Sequence, residues 1–345
     1  MTTSAQMLNG PAHTLSTQLL SDLRDLKGLT AEWSDLCARC PDATPFQRPE
    51  WLLPWIEVFS PRDCFAITVR DGRRLIGLAL LLIYQRDGKS ILAFAGGGHS
   101  DYLGLLCDRG REAEVVESVL AFVTTERQWD LLELTDLPAD SPILELPVFQ
   151  GQIREHDSVS GLPLPPANEQ LLRIFSKRQR SNLRNAASRL RRAGGGCVES
   201  VTIGTLKEFL DDMFRLHTTR WAQSGQPGVL REENTRAFHQ RCAPALLQHG
   251  LLRIHRLRLG VQTIAVVYSL RDRGTVFCYV QGFDPAHSSL SPGTQLMFAV
   301  IEEAQRQGFR WFDFLRGQEG YKQHWRALPQ PTFRITRNKT PLRDQ

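Results

Sequence analysis

Residues 263–325 read TIAVVYSL-RDRG-TVFCYVQGF-DPAHSSLSPG-TQLMFAVIEEAQRQG-FRWFDFLRGQEGYKQHW. Two β-patterned runs, 263–270 and 275–282, flank the turn residues Arg271-Asp272-Arg273-Gly274, a hairpin signature. A polar loop follows and ends in Ser291-Pro292-Gly293-Thr294. Beyond it Leu296, Met297, Val300, Ile301 and Ala304 recur at helical spacing on one face. Pro292 suits a first helical turn, and Ser291 before it is a capping candidate. Gly308 stops the helix, and Arg310 to Leu315 reads as a short buried strand. Asp313, Arg316, Glu319, Tyr321 and Lys322 stand in or just past that strand, at the edge where open α/β sheets bind ligands.

Strand, strand, loop, helix, strand is an order that resembles the core of the GNAT acyltransferase superfamily. The SPG loop, the FDFLRG strand and the E-G-Y-K-x-x-W tail are similar to its CelD-type, FemAB-like acetyltransferase branch. The resemblance covers roughly residues 170–326 and is most specific in its last third. It implies an α/β (α+β) fold of two tandem GNAT-like lobes, each a mixed, mostly antiparallel sheet flanked by helices.

Working outward, 345 residues suit two lobes, and 41% apolar content supports large cores. The net charge of +5 is compatible with an anionic ligand. No apolar run reaches the ~18 residues of a membrane span. The N-terminus lacks a signal-peptide layout, so a cytosolic location is expected. Seven cysteines are dispersed, which argues against a disulfide framework. Cys37 and Cys40 have C-x-x-C spacing without a second pair, which reads as two ordinary cysteines on an amphipathic helix. Nine histidines lack ligand spacing, so no metal is expected.

The first 16 residues read as frayed, and Leu19 to Arg39 as helical. A first lobe over 17–140 shows hairpin turns at Asp71-Gly72 and Asp87-Gly88-Lys89, a helix over Glu112 to Arg127 and a strand over Asp130 to Leu134. It has no SPG-like loop, so one cofactor site is expected, in a second lobe over 170–338. Prolines 138, 142, 147, 163, 165 and 166 mark 141–169 as an extended connector. Residues 176–192, SKRQRSNLRNAASRLRR, carry seven Lys or Arg and no acid. This helix is a solvated basic face, a nucleic-acid surface, or a lip attracting an anionic cofactor or saccharide.

The resemblance also assigns tasks. The diphosphate of acyl-CoA (most simply acetyl-CoA) belongs at the helix start formed by Ser291, Pro292, Gly293 and Thr294, where N–H groups and the helix dipole favour phosphate. Backbone amides near Val280, Gln281 and Gly282 polarise the thioester carbonyl, with Gly282 marking a bulge that splays the strands. Tyr321 protonates the leaving thiolate. By strand alternation Asp313 is either buried against Arg316 or Lys322 or faces the cleft as a base or amine anchor, Glu319 is the other base candidate, and Lys322 reaches a phosphate or the acyl carbonyl. His255 and Tyr279 are further candidates for proton transfer. Asp101, Tyr102, Arg220 and Trp221 are assigned to the acceptor, an amine of unidentified kind linked to exopolysaccharide or envelope building. FemAB-like relatives use the same scaffold with aminoacyl-tRNA, which keeps a tRNA-dependent transferase open. A non-catalytic adaptor in a polysaccharide-synthesis complex is the alternative of another class.

Overall fold

The computed structural model describes residues 15–339 except 224, 226, 227, 318 and 319. The first half contains β1 (Leu15–Leu20), α1 (Leu23–Gly28), α2 (Thr30–Arg39), α3 (Pro49–Phe59), β2 (Cys64–Asp71), β3 (Arg74–Arg86), β4 (Lys89–Phe94), β5 (Leu106–Cys107), α4 (Glu112–Glu126) and β6 (Leu131–Pro138). The second half contains β7 (Ile153–Pro163), α5 (Lys177–Arg192), β8 (Cys197–Ser200), α6 (Leu206–Gln223), α7 (Glu233–Gln248), β9 (Leu252–Leu259), β10 (Gln262–Asp272), β11 (Thr275–Phe283), α8 (Pro292–Arg306), β12 (Trp311–Arg316), α9 (Gly320–His324) and β13 (Leu328–Asn338).

These strands form one mixed sheet in the order β1-β2-β3-β4-β6-β13-β7-β12-β11-β10-β9-β8, with β5 on β3. Two parallel pairs, β4–β6 and β11–β12, are the places where α4 and α8 cross over. The middle of the sheet is an exchange. β13, which follows β12 in the chain, pairs with β6, and β7, which follows β6, pairs with β12. β13 and β7 pair with each other and close the seam. Both strands that receive the exchange carry a left-handed residue at the same place, Asp136 (φ 62°) and Leu315 (φ 60°), where the ladders slip register.

Three readings of the sequence change here. Residues 15–20 are a strand paired with β2, because Leu15 and Leu19 alternate onto the first-half core. The expected connector contains β7, a strand with partners on both sides, because its prolines cluster before and after 148–162 and leave that run free to pair. The strand β13 had not been anticipated at all. Cys37 ends up inside α2 and Cys40 at its C-cap, both buried, with burial pushing the Cys37 thiol up to about 12.

Three apolar cores result. One lies under α4, and one lies under α8, whose Leu296, Met297, Val300, Ile301 and Ala304 are all buried as their spacing predicts. The third joins the halves, with Phe46 and Trp51 packed edge-on against Phe277, Tyr279 and Phe238.

Candidate active site

The parallel ladder between β11 and β12 covers only Thr275–Phe277 against Trp311–Asp313. Past it the two strands no longer pair, and a cavity of about 440 Å³ lies against the far end of β11, walled by helices and not by β12. Gln281 and Phe283 of β11 form one side. Ser291, Gly293 and Thr294 at the start of α8 form its end. The inner face of α5 contributes Gln179, Asn182, Leu183 and Arg189, α9 contributes Tyr321 and His324, and α6 contributes Arg220. Among the described lining residues there are two guanidinium groups and no carboxylate.

Helix α8 begins without a side-chain cap. Ser291 takes a left-handed conformation (φ 54°, ψ 50°), so its hydroxyl turns away from the first-turn amides. That hydroxyl instead accepts a hydrogen bond from Arg189 Nη2 (3.0 Å), while Arg189 Nε donates to the Ser289 carbonyl (2.7 Å). The first intrahelical bond runs from Gln295 N to Ser291 O, so the amides of Gly293 and Thr294 precede it. A β-carbon on Gly293 would meet the Phe283 ring at 3.3 Å.

Arg220 lies among rings. Its guanidinium carbon is 5.5 Å from the Phe283 centroid, 5.9 Å from Tyr321 and 6.0 Å from Trp221. It makes no ion pair with any described residue. Burial, with the Arg220 charge added, holds the neighbouring His217 imidazole down at about 4.

Other expected site residues lie elsewhere. Asp313 is buried, and it accepts from the Tyr102 hydroxyl (2.7 Å) and from its own loop at Leu315 N (2.7 Å). Burial pushes its carboxyl up to about 6, and it does not line the cavity. Its partner is therefore a first-half tyrosine, in place of the expected Arg316 or Lys322. Asp101 accepts from Arg316 Nε (2.9 Å), and Arg316 also binds Asp136 (2.9 Å) and the Ser100 carbonyl (2.9 Å). Asp101 and Tyr102 thus hold the two halves together and take no part in the cavity lining. Lys322 is buried, and its ammonium donates to the carbonyls of Leu315 (3.0 Å), Arg316 (2.5 Å) and Gly317 (3.0 Å). It ties α9 to the left-handed end of β12 and does not line the cavity.

Val280 and Pro292 are buried in the core beside the cavity, and Trp221 packs on His217 (5.9 Å). Gly282 does not carry the bulge. The register slips opposite Tyr268 and Ser269, leaving Tyr279 as the extra residue. A β-carbon on Gly282 would lie 2.6 Å from the backbone nitrogen of His217, so this glycine exists to let α6 cross β11 closely. Tyr279 donates to the His99 carbonyl (2.9 Å), and His255 pairs with Glu303 (3.0 Å) under α8, both away from the cavity. Glu319 lies outside the described residues. Sequence reasoning missed Arg189, hidden in a basic run, and His324. The legible signal for His324 was its spacing of three from Tyr321, which puts both on one face of α9.

Residues 177–323 match the acetyltransferase (GNAT) domain family. The GNAT match begins with α5 and ends in α9, so it contains the lining from Gln179 to Tyr321; Phe175, His324 and Trp325 fall just outside. No curated protein matches the sequence. Among solved structures, FemX superposes with a TM-score of 0.65 at 11% identity, covering 92% of this chain and 96% of its own. The C-terminal domain of a putative lysylphosphatidylglycerol synthetase from Agrobacterium fabrum gives 0.57 at 11%, covering 91% and 92%. A tandem GNAT protein from the clavulanic acid biosynthesis pathway gives 0.50 at 15%, covering 95% and 100%. At such identities the likeness is one of fold: a mixed sheet with GNAT-like architecture along the chain.

Proposed function

We propose that the protein is an N-acyltransferase that takes an acyl group, most simply acetyl, from acyl-CoA and passes it to an amine. The observation that carries this is the cavity at the end of β11: two arginines and no described carboxylate, at the uncapped start of α8. A diphosphate suits the amides of Gly293 and Thr294 and the helix dipole. The ladder of β11 with β12 ends at Phe277, which supports giving the backbone amides around Val280 to Gly282 the task of polarising a thioester carbonyl.

In the reaction the amine nitrogen forms a bond to the carbonyl carbon and the C–S bond breaks. The thiolate must gain a proton and the amine must lose one. Tyr321 is the proposed donor to the thiolate. His324 is the proposed acceptor from the amine: its Nδ1 donates to the Gly320 carbonyl (3.0 Å), which leaves the Nε2 lone pair available. Arg220 and Trp221 face the acceptor side in this reading, and the E-G-Y-K-x-x-W tail supports an acceptor linked to exopolysaccharide or the cell envelope. A single donor site fits the first half, where Glu112 and Glu114 occupy the first turn of α4 and Arg111 pairs with Asp71 and Glu114.

A tRNA-linked donor is the second reading, favoured by one observation. The face of α5 turned from the cavity exposes Lys177, Arg178, Arg184, Arg191 and Arg192, none ion-paired among the described residues. Calorimetric titration separates the two. Saturable acetyl-CoA binding supports the first. Absence of binding, together with tRNA that co-purifies and is lost on joint replacement of Arg184 and Arg191, supports the second.

A further inference from the structure

We propose that Arg189 supplies from α5 the positive charge that grips the donor's diphosphate, so that the phosphate site is shared between two separate elements. The loop that precedes α8 and the first turn of the helix, residues 284–294, contain no lysine or arginine. Their one titratable base, His287, sits 3.3 Å from Asp284. A diphosphate docked on Gly293 and Thr294 therefore finds dipoles but no full charge within its own loop.

Arg189 fills that gap. Two of its nitrogens fix it to the loop, at the Ser289 carbonyl and the Ser291 hydroxyl, and the guanidinium borders the cavity. Those bonds use Nε and Nη2, and Nη1 bonds no described residue, which leaves its donors for a ligand; five donors in a rigid fork suit a phosphate oxygen better than a lysine would. The Ser291 hydroxyl, turned from capping by the left-handed backbone, is what positions the fork. The same helix α5 is joined at its other end to α9, through Gln179 Nε2 to the His324 carbonyl (2.5 Å) and the Phe175–Trp325 ring pair (5.8 Å). Phosphate grip and the helix bearing Tyr321 thus hang on one element.

This inference rests on the acyl-CoA reading, and its test separates the two. Acetyl-CoA is compared with S-acetylpantetheine, which lacks the diphosphate, on the full chain carrying Arg189→Gln. Acetyl-CoA affinity falls about tenfold or more, the scale of a charged hydrogen bond, with the loss in KM and not in kcat. Turnover of S-acetylpantetheine is unchanged. Inorganic pyrophosphate competes with acetyl-CoA in the wild type and weakly in the variant. Undiminished acetyl-CoA affinity overturns the inference. Equal loss of both thioesters also overturns it, because Arg189 then only shapes the Ser289–Ser291 turn. If R189Q fails to fold, Arg189→Lys serves, with a smaller loss confined to acetyl-CoA expected and an unchanged affinity refuting. A wild type that binds neither thioester sinks the acyl-CoA reading itself.

Discussion

Asp313→Asn should make the protein more stable at neutral pH, and the size of the effect follows from the seam. The carboxyl is 3% exposed and pushed from 3.8 to about 6, first by burial and then by Asp101, against the bonds from Tyr102 and Leu315 N and the Lys322 charge. Its folded-state value lies above its unfolded value. Between pH 3.8 and 6 the native state holds a proton that the unfolded chain has released, so this residue's contribution declines as pH rises through that window. Above pH 6 the decline is complete, at about 3 kcal/mol. Asparagine is isosteric and neutral. Its oxygen can accept from Leu315 N, and its amide can donate to the Tyr102 oxygen, since a phenol both donates and accepts. Urea unfolding of wild type and D313N from pH 5 to pH 8 should show the variant gaining about 1.5 kcal/mol at pH 5 and up to about 3 kcal/mol at pH 8. A variant destabilised by 1 kcal/mol or more at pH 8 would refute the reasoning, because the carboxylate would then be held as an anion by the Tyr102 and Leu315 N bonds and the Lys322 charge.

Gly282→Ala drives a methyl group against the α6 backbone and should cost about 2 kcal/mol or more, read as a lowered urea midpoint with an unchanged slope. Lys322→Met removes a buried ammonium from three carbonyls and should cost about 3 kcal/mol, and it should lower kcat by loosening α9; an unchanged midpoint would contradict its tying role. Tyr321→Phe should reduce kcat with little change in acetyl-CoA binding, and His324→Gln should lower kcat about a hundredfold, checked by steady-state kinetics; an undiminished kcat excludes His324 as the base. The acid sensitivity of the fold should trace to His239 and His217, which burial holds at about 3 and about 4. These values lie below the unfolded one, so their contribution is complete above pH 6.5 and is lost as pH falls toward 4, opposite in sign to Asp313. His239 is fully buried with neither ring nitrogen bonded to a described residue, so His239→Leu should reduce the slope of stability against pH in that window by about 1.4 kcal/mol per unit.

Local order was legible in the chain. The 263–325 stretch determined two strands, a loop, an amphipathic helix and a third strand, because side-chain period and turn residues act over a few positions and the buried face of α8 obeyed them. Ser291, Gly293 and Thr294 were legible as a helix start, a local feature, while Gln281, Tyr321 and Arg220 were named through the family resemblance, and the structure gathers all six on one cavity. Which charges meet was not legible. Asp313 looked like a cleft carboxylate and became the partner of Tyr102, 211 residues away. Arg189 looked like one of seven interchangeable cations and became the one that reaches the α8 start. β7 and β13 were hidden because their pairing depends on strands from opposite halves of the chain. Periodicity says which face of an element is apolar, whereas the choice of the element it meets is a long-range competition among many apolar faces, and only the closed sheet decided it.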